Sequence, residues 1–127
     1  MGHIVWPKSY VSSTFHTQCR HESAWLLAKG NPDKPVSPVP DVMGWRYSGN
    51  RFHPTEKSVD ILTPLLRSYS RPGDTVLDPF AGSGSTLVAA ALTGRRYVGV
   101  ELEQRYCEYA VQRLAGVRRY RRAGRHE

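Results

Sequence analysis

The sequence predicts an α/β fold in which parallel strands are joined by crossover helices, with an antiparallel hairpin at the N-terminus. Three observations lead there. The glycine-rich stretch Asp78-Pro79-Phe80-Ala81-Gly82-Ser83-Gly84-Ser85-Thr86 lies between a strand-like run and a run of helical periodicity. The second half of the chain alternates strand, helix, strand, helix, the pattern of β-α-β units with parallel strands. Two short apolar runs near the start of the chain are placed to pair with each other.

In chain order, Ile4-Val5-Trp6 and Ala24-Trp25-Leu26-Leu27-Ala28 are the two hairpin strands, within residues 1–29. Residues 30–52 hold Pro32, Pro35, Pro38, Pro40, Gly44 and Gly49 without apolar periodicity, which predicts a long loop of the functional or mobile kind. A core segment follows over residues 53–116. Val59, Leu62, Leu65, Leu66 and Tyr69 recur at helical spacing, with Thr55 as the expected N-cap and Pro64 as a kink. Arg71-Pro72-Gly73-Asp74 is turn chemistry, and Thr75-Val76-Leu77 forms a strand with Asp78 at its end. A helix from about Gly84 to Leu92 is stopped by Gly94. Tyr97-Val98-Gly99-Val100 is the next strand. Cys107, Ala110, Val111 and Leu114 then mark an amphipathic helix ending near Gly116. Residues 117–127 are left as a basic tail.

With 127 residues, one domain is expected, large enough for a cofactor-sized pocket. Cys19 and Cys107 are too few for a disulfide framework, and no apolar run reaches the length of a bilayer span. A cytoplasmic location and no membrane partner are therefore expected. The net charge of +7 is concentrated at the end, where five arginines against Glu127 place +4 in residues 116–127. Such an arginine-rich end suits phosphate neutralisation on nucleic acid, the alternative being a solvated tail.

The glycine turn carries the most chemistry. Gly82 and Gly84 allow backbone conformations closed to other residues, and the N–H groups at the start of the following helix offer donors to a ligand. Glu101 ends the next strand, seventeen residues after Gly84, where an acid accepts hydrogen bonds from ribose hydroxyls in doubly wound sheets. A P-loop is disfavoured because Ser85, not lysine, follows Gly84. A dinucleotide fingerprint wants a third glycine where Leu87 stands. Asp78 directly before the turn favours a cationic ligand group, and S-adenosyl-L-methionine carries an ammonium and a sulfonium beside its ribose. The plain alternative is a tight turn with Glu101 at the surface.

These segments resemble the DNA methyltransferases that act on adenine N6 or cytosine N4, in the circularly ordered (beta) subgroup whose catalytic motif precedes the cofactor motif. The matching residues are His53-Pro54-Thr55-Glu56-Lys57, Gly73 through Thr86, and Gly94-Arg95-Arg96-Tyr97-Val98-Gly99-Val100-Glu101, with weaker similarity around Ile4-Val5-Trp6-Pro7-Lys8 and around His21-Glu22 with Leu27-Ala28-Lys29-Gly30. Ser58 departs from the pattern, which commonly has proline after the lysine. The resemblance implies a Rossmann-like methyltransferase fold, here partial. It also implies S-adenosyl-L-methionine as cofactor and site-specific DNA as substrate, in the manner of restriction-modification enzymes. It places Asp78, Phe80, Gly82, Ser83 and Gly84 around the methionine part, Glu101 at the ribose, and Thr55 and Lys57 near the methionine carboxylate. Phe80 could equally be core.

The family holds its flipped base with Asp, Asn or Ser followed by Pro-Pro-aromatic, and this sequence has no such tetrapeptide. No catalytic residue is assigned. The expectation is a cofactor-binding portion that needs a second chain, a second copy or a missing segment to act on DNA; a non-catalytic remnant that binds the cofactor or dimerises is the rival. His16, Cys19, His21 and Glu22 do not make the four well-spaced ligands of a structural zinc site, so no metal is expected. Trp45, Arg46, Tyr47, Arg51 and Phe52 interleave aromatic and basic residues, which suits either DNA contact or packing over the sheet.

Overall fold

Gly2–Ser13 (β1) and Gln18–Leu26 (β2) pair antiparallel in a computed structural model that describes residues 2–13, 16–35, 37–47, 49 and 56–123. The chain divides into two compact units, Met1–Arg46 and Tyr47–Glu127. In the first, the register runs from Gly2↔Leu26 to Pro7↔His21 and resumes at Ser12↔Cys19 after an irregularity. The hairpin expected from the apolar runs is present, with strands longer than those runs. The segment after it is not independent of it: Val5 N–H donates to Asp41 O at 2.7 Å and Met43 N–H to Val5 O at 2.9 Å, a parallel bridge through Val42. Alternation along β1 buries Ile4, Trp6 and Lys8 on one face. Lys8 is accommodated because Nζ donates to Ser12 Oγ at 2.6 Å and lies 3.5 Å from Glu22 Oε1.

The second unit contains α1 (Val59–Tyr69), β3 (Thr75–Asp78), α2 (Ser85–Leu92), β4 (Arg96–Gly99) and α3 (Gln104–Ala123). Strands β3 and β4 are parallel, with Thr75↔Arg96 and Asp78↔Gly99 in register, and α2 is the crossover between them. Alanines make α2 a close-packing element: Ala89 and Ala90 are fully buried, and the helix touches α1, α3, β3 and β4. The core gathers Val88 and Ala91 of α2 with Val117 of α3, flanked by Val59, Tyr97 and Leu114. Leu77 and Val98, adjacent in register, are exposed, so one side of the strand pair is packed and the other is not. Among the described residues no further strand pairs with β3 or β4, and no helix is long and apolar enough to cross a membrane.

Three expectations change. Helix α1 is capped by Ser58, not Thr55: Ser58 is extended at φ −65° and ψ 136°, and its Oγ accepts from Asp60 N–H. Helix α3 does not stop at Gly116 but runs to Ala123, so the first part of the expected basic tail is helical. Gly116 does not take a positive φ, and burial of Val117 one position later holds the next turn against α2. Val111, placed on the apolar face by its spacing, is 66% exposed, because the packed ridge of α3 uses Ala110, Leu114 and Val117.

The end of α2 follows its expectation closely. Gly94 has φ 78°, its N–H donates to Ala91 O, and Arg95 N–H donates to Ala90 O, which together form a Schellman stop.

Candidate functional site

At the carboxyl ends of β3 and β4 lies a cavity of about 310 Å³, within the range of small-molecule sites. Its wall includes Glu56 and Lys57 ahead of α1, Leu62 of α1, Asp78 of β3, the turn residues Phe80 to Ser83, Ser85 and Thr86 of α2, and Glu101 after β4.

The turn is built by backbone bonds that tie it to both strands. Ala81 N–H donates to Val100 O and Val100 N–H to Asp78 O, each at 2.9 Å. Asp78 Oδ1 accepts from Phe80 N–H at 3.1 Å, an Asx turn that fixes the carboxylate at the strand end. Gly82 and Gly84 have φ 52° and 81°. At Gly84 a side chain is also barred by space, since a Cβ there would sit 2.7 Å from Ala110 Cβ of α3. That glycine therefore lets the turn lie against α3, and Gly84 does not line the cavity. It is the N-cap of α2 and brings no side-chain acceptor to the helix's first N–H groups.

Glu101 is held from two sides. Oε2 accepts from Gly82 N–H at 2.7 Å and Oε1 from Glu103 N–H at 2.9 Å. These short charge-assisted bonds orient a carboxylate on the cavity wall, and a carboxylate has about four acceptor directions to offer. It is not the idle surface acid that its position alone allowed.

Part of the wall is tied to α3 by Arg113, which the sequence does not single out. Arg113 Nη1 of α3 donates to Ser83 O at 2.9 Å, Ser83 Oγ at 3.0 Å and Ser85 Oγ at 3.1 Å, and lies 3.9 Å from Glu56 Oε2. Ser83 Oγ donates to Glu56 Oε2 at 3.2 Å. Burial lowers the Arg113 guanidinium from its ordinary range, and the charge of Glu56 works against that. One signal was available: Arg113 falls one helical turn after Ala110, beside the packed ridge, where a charge needs partners.

Of the eight residues singled out for the cofactor, the structure brings Lys57, Asp78, Phe80, Gly82, Ser83 and Glu101 to the one cavity. Thr55 lies outside the described residues, as do Arg51 and Phe52 of the aromatic and basic stretch. Phe80 is 88% exposed and is not core. Among the described residues, no group of three or more His, Cys, Asp or Glu is placed to hold a metal ion.

The profile of the N6/N4 DNA methylase family matches residues 2–112. The chain belongs to this DNA methylase family. YubD of Escherichia coli (strain K12) is 54% identical over 124 residues, which is 98% of this chain and 55% of YubD. The solved structure of TTHA0409 from Thermus thermophilus, complexed with S-adenosyl-L-methionine, is 30% identical with a TM-score of 0.67, covering 92% of this chain and 53% of that one. The M1.HpyAVI complex with the same compound is 26% identical with a TM-score of 0.65, over 90% of this chain and 61% of the other. This methylase-family chain therefore shares the α/β fold of these proteins and spans little more than half of their length.

Proposed function

We propose that this chain is the S-adenosyl-L-methionine-binding portion of a DNA methyltransferase that transfers a methyl group to an exocyclic amine, adenine N6 or cytosine N4. The observation that carries the reading is the pair of carboxylates, Asp78 and Glu101, at the ends of two adjacent parallel strands and on the wall of one cavity with the glycine turn. The residues present fit the cofactor. Glu101 is fixed by two backbone donors in the place of a ribose-binding acid. Asp78 supplies negative charge for an ammonium and a sulfonium, and Lys57 supplies positive charge for the carboxylate. Gly82 and Ser83 let the ligand approach the backbone, and exposed Phe80 offers an apolar surface at the rim. Bound there, S-adenosyl-L-methionine supplies an activated methyl group. The complexes of TTHA0409 and M1.HpyAVI with this compound support the choice.

The acting enzyme, in this reading, includes a segment with the Asp/Asn/Ser-Pro-Pro-aromatic motif, supplied by a longer chain, a partner or a second copy. Three observations favour it: that motif is not in the sequence, the chain spans only 55% of YubD, and the exposed Leu77 and Val98 side of a two-stranded parallel sheet has nothing packed on it among the described residues. Parallel sheets are ordinarily covered on both faces. By the resemblance of its segments we assign the chain to the beta subgroup.

Calorimetric titration tests the cofactor half. S-adenosyl-L-methionine and its demethylated product should bind saturably, and Glu101→Ala should weaken both about thirtyfold, the equivalent of losing about 2 kcal/mol of charge-assisted hydrogen bonding. Supplying the catalytic segment should then give methyl incorporation into DNA. Absence of heat with folded wild-type protein would overturn the proposal, and methylation by this chain alone would overturn the need for a further segment.

A further inference from the structure

Arg113 reaches from α3 to both serines that flank Gly84, at 2.9 to 3.1 Å, and to Glu56 at 3.9 Å. Glu56 in turn accepts from Ser83 Oγ at 3.2 Å and directly precedes Lys57, the cation of the cavity wall. The Glu56 and Arg113 side chains keep only 5% and 15% of their exposure. Removing two opposite charges from water is costly, and such a pair gains least as a mere brace between helices. Its location is specific: these contacts fall on cavity-lining residues, Glu56, Ser83 and Ser85.

Resting on the cofactor reading above, we propose that Arg113 and Glu56 are positioning residues that make the cavity selective for a nucleoside carrying an amino-acid tail. Neither needs to touch the ligand. Arg113 holds Ser83 and Ser85 in place on either side of the left-handed Gly84, so that the turn presents its backbone in one arrangement. Glu56, anchored by Ser83 and Arg113, fixes the segment from which Lys57 enters the cavity. The carboxylate and ammonium of the tail then meet groups already in position, which removes the ordering cost from binding. The adenosine end depends instead on Glu101, whose backbone donors, Gly82 and Glu103, are not ones that Arg113 touches.

Two probes separate the ends. S-adenosylhomocysteine has the tail; methylthioadenosine shares the adenosine and sulfur and lacks it. Both are titrated into the wild-type chain and into Glu56→Gln, Arg113→Met and Arg113→Lys. Glu56→Gln and Arg113→Met should weaken S-adenosylhomocysteine about tenfold or more while methylthioadenosine stays within about twofold. Arg113→Lys should recover part of the loss, since one ammonium replaces a planar fork of donors. Glu56→Gln is nearly isosteric and keeps the test open if Arg113→Met does not fold. Equal losses for the two compounds would show a purely structural pair and overturn the proposal, as would no change in either. A wild-type chain that binds neither compound overturns the cofactor reading itself, and this proposal with it.

Discussion

At the C-terminal end of α2, Gly94 and Arg95 donate their N–H groups to the last turn, and the buried Arg95 side chain closes over the end of α1, donating to Ser70 O and Thr93 O at 2.6 Å, Ser70 Oγ at 3.1 Å and Leu66 O at 3.3 Å. At the N-terminal end of the same helix, Gly84 brings no capping side chain, and the neighbouring lining residues face a cavity. Both ends hold a half-buried or buried arginine. Arg95 satisfies helix carbonyls, while Arg113 braces the glycine turn on the cavity wall. The cavity lies at the end of α2 where no side chain caps the helix's first N–H groups.

The contrast can be broken in steps. The largest effect is expected from Gly84→Ala, where a Cβ would meet Ala110 Cβ at 2.7 Å and the backbone would have to keep φ 81°. Overpacking and a left-handed alanine together should cost about 3 kcal/mol, read from urea unfolding, and should separate the turn from α3. Arg95→Met comes next. It leaves the C-terminal carbonyls of α1 short of donors and should cost about 2 kcal/mol of stability, while S-adenosylhomocysteine binding by the folded fraction is unchanged. A loss of affinity there would mean that the two ends are not independent. Ser58→Ala removes the cap of α1 and should cost about 1 kcal/mol by the same measurement, with the cavity intact.

Much of this was legible in the sequence because local chemistry decides it. Gly94 could stop α2 only by taking a positive φ, and it does. The strands on either side of the glycine turn, and the acid at the end of each, follow from β-branched runs broken by turn residues. What escaped was decided by tertiary packing. The spacing of Val111 fits the apolar face of α3, yet the close approach at Gly84 and Ala110 sets which ridge is packed, and Val111 is turned out. Helix α3 passes Gly116 because Val117 finds a place against Val88 and Ala91, a long-range contact that no local pattern reports. The place of Arg113 beside the packed ridge marks a charge in need of partners, but only the fold brings Glu56 and Ser83 to it.

The most direct test follows backbone amide shifts in the folded chain as S-adenosylhomocysteine is added. The largest changes are expected at Gly82, Ser83, Ser85 and Thr86 and around Glu101 to Glu103, with Gly94 and Arg95 unmoved. Changes centred on the Arg95 end, or none along the glycine turn at saturating ligand, would contradict a cofactor site at that turn.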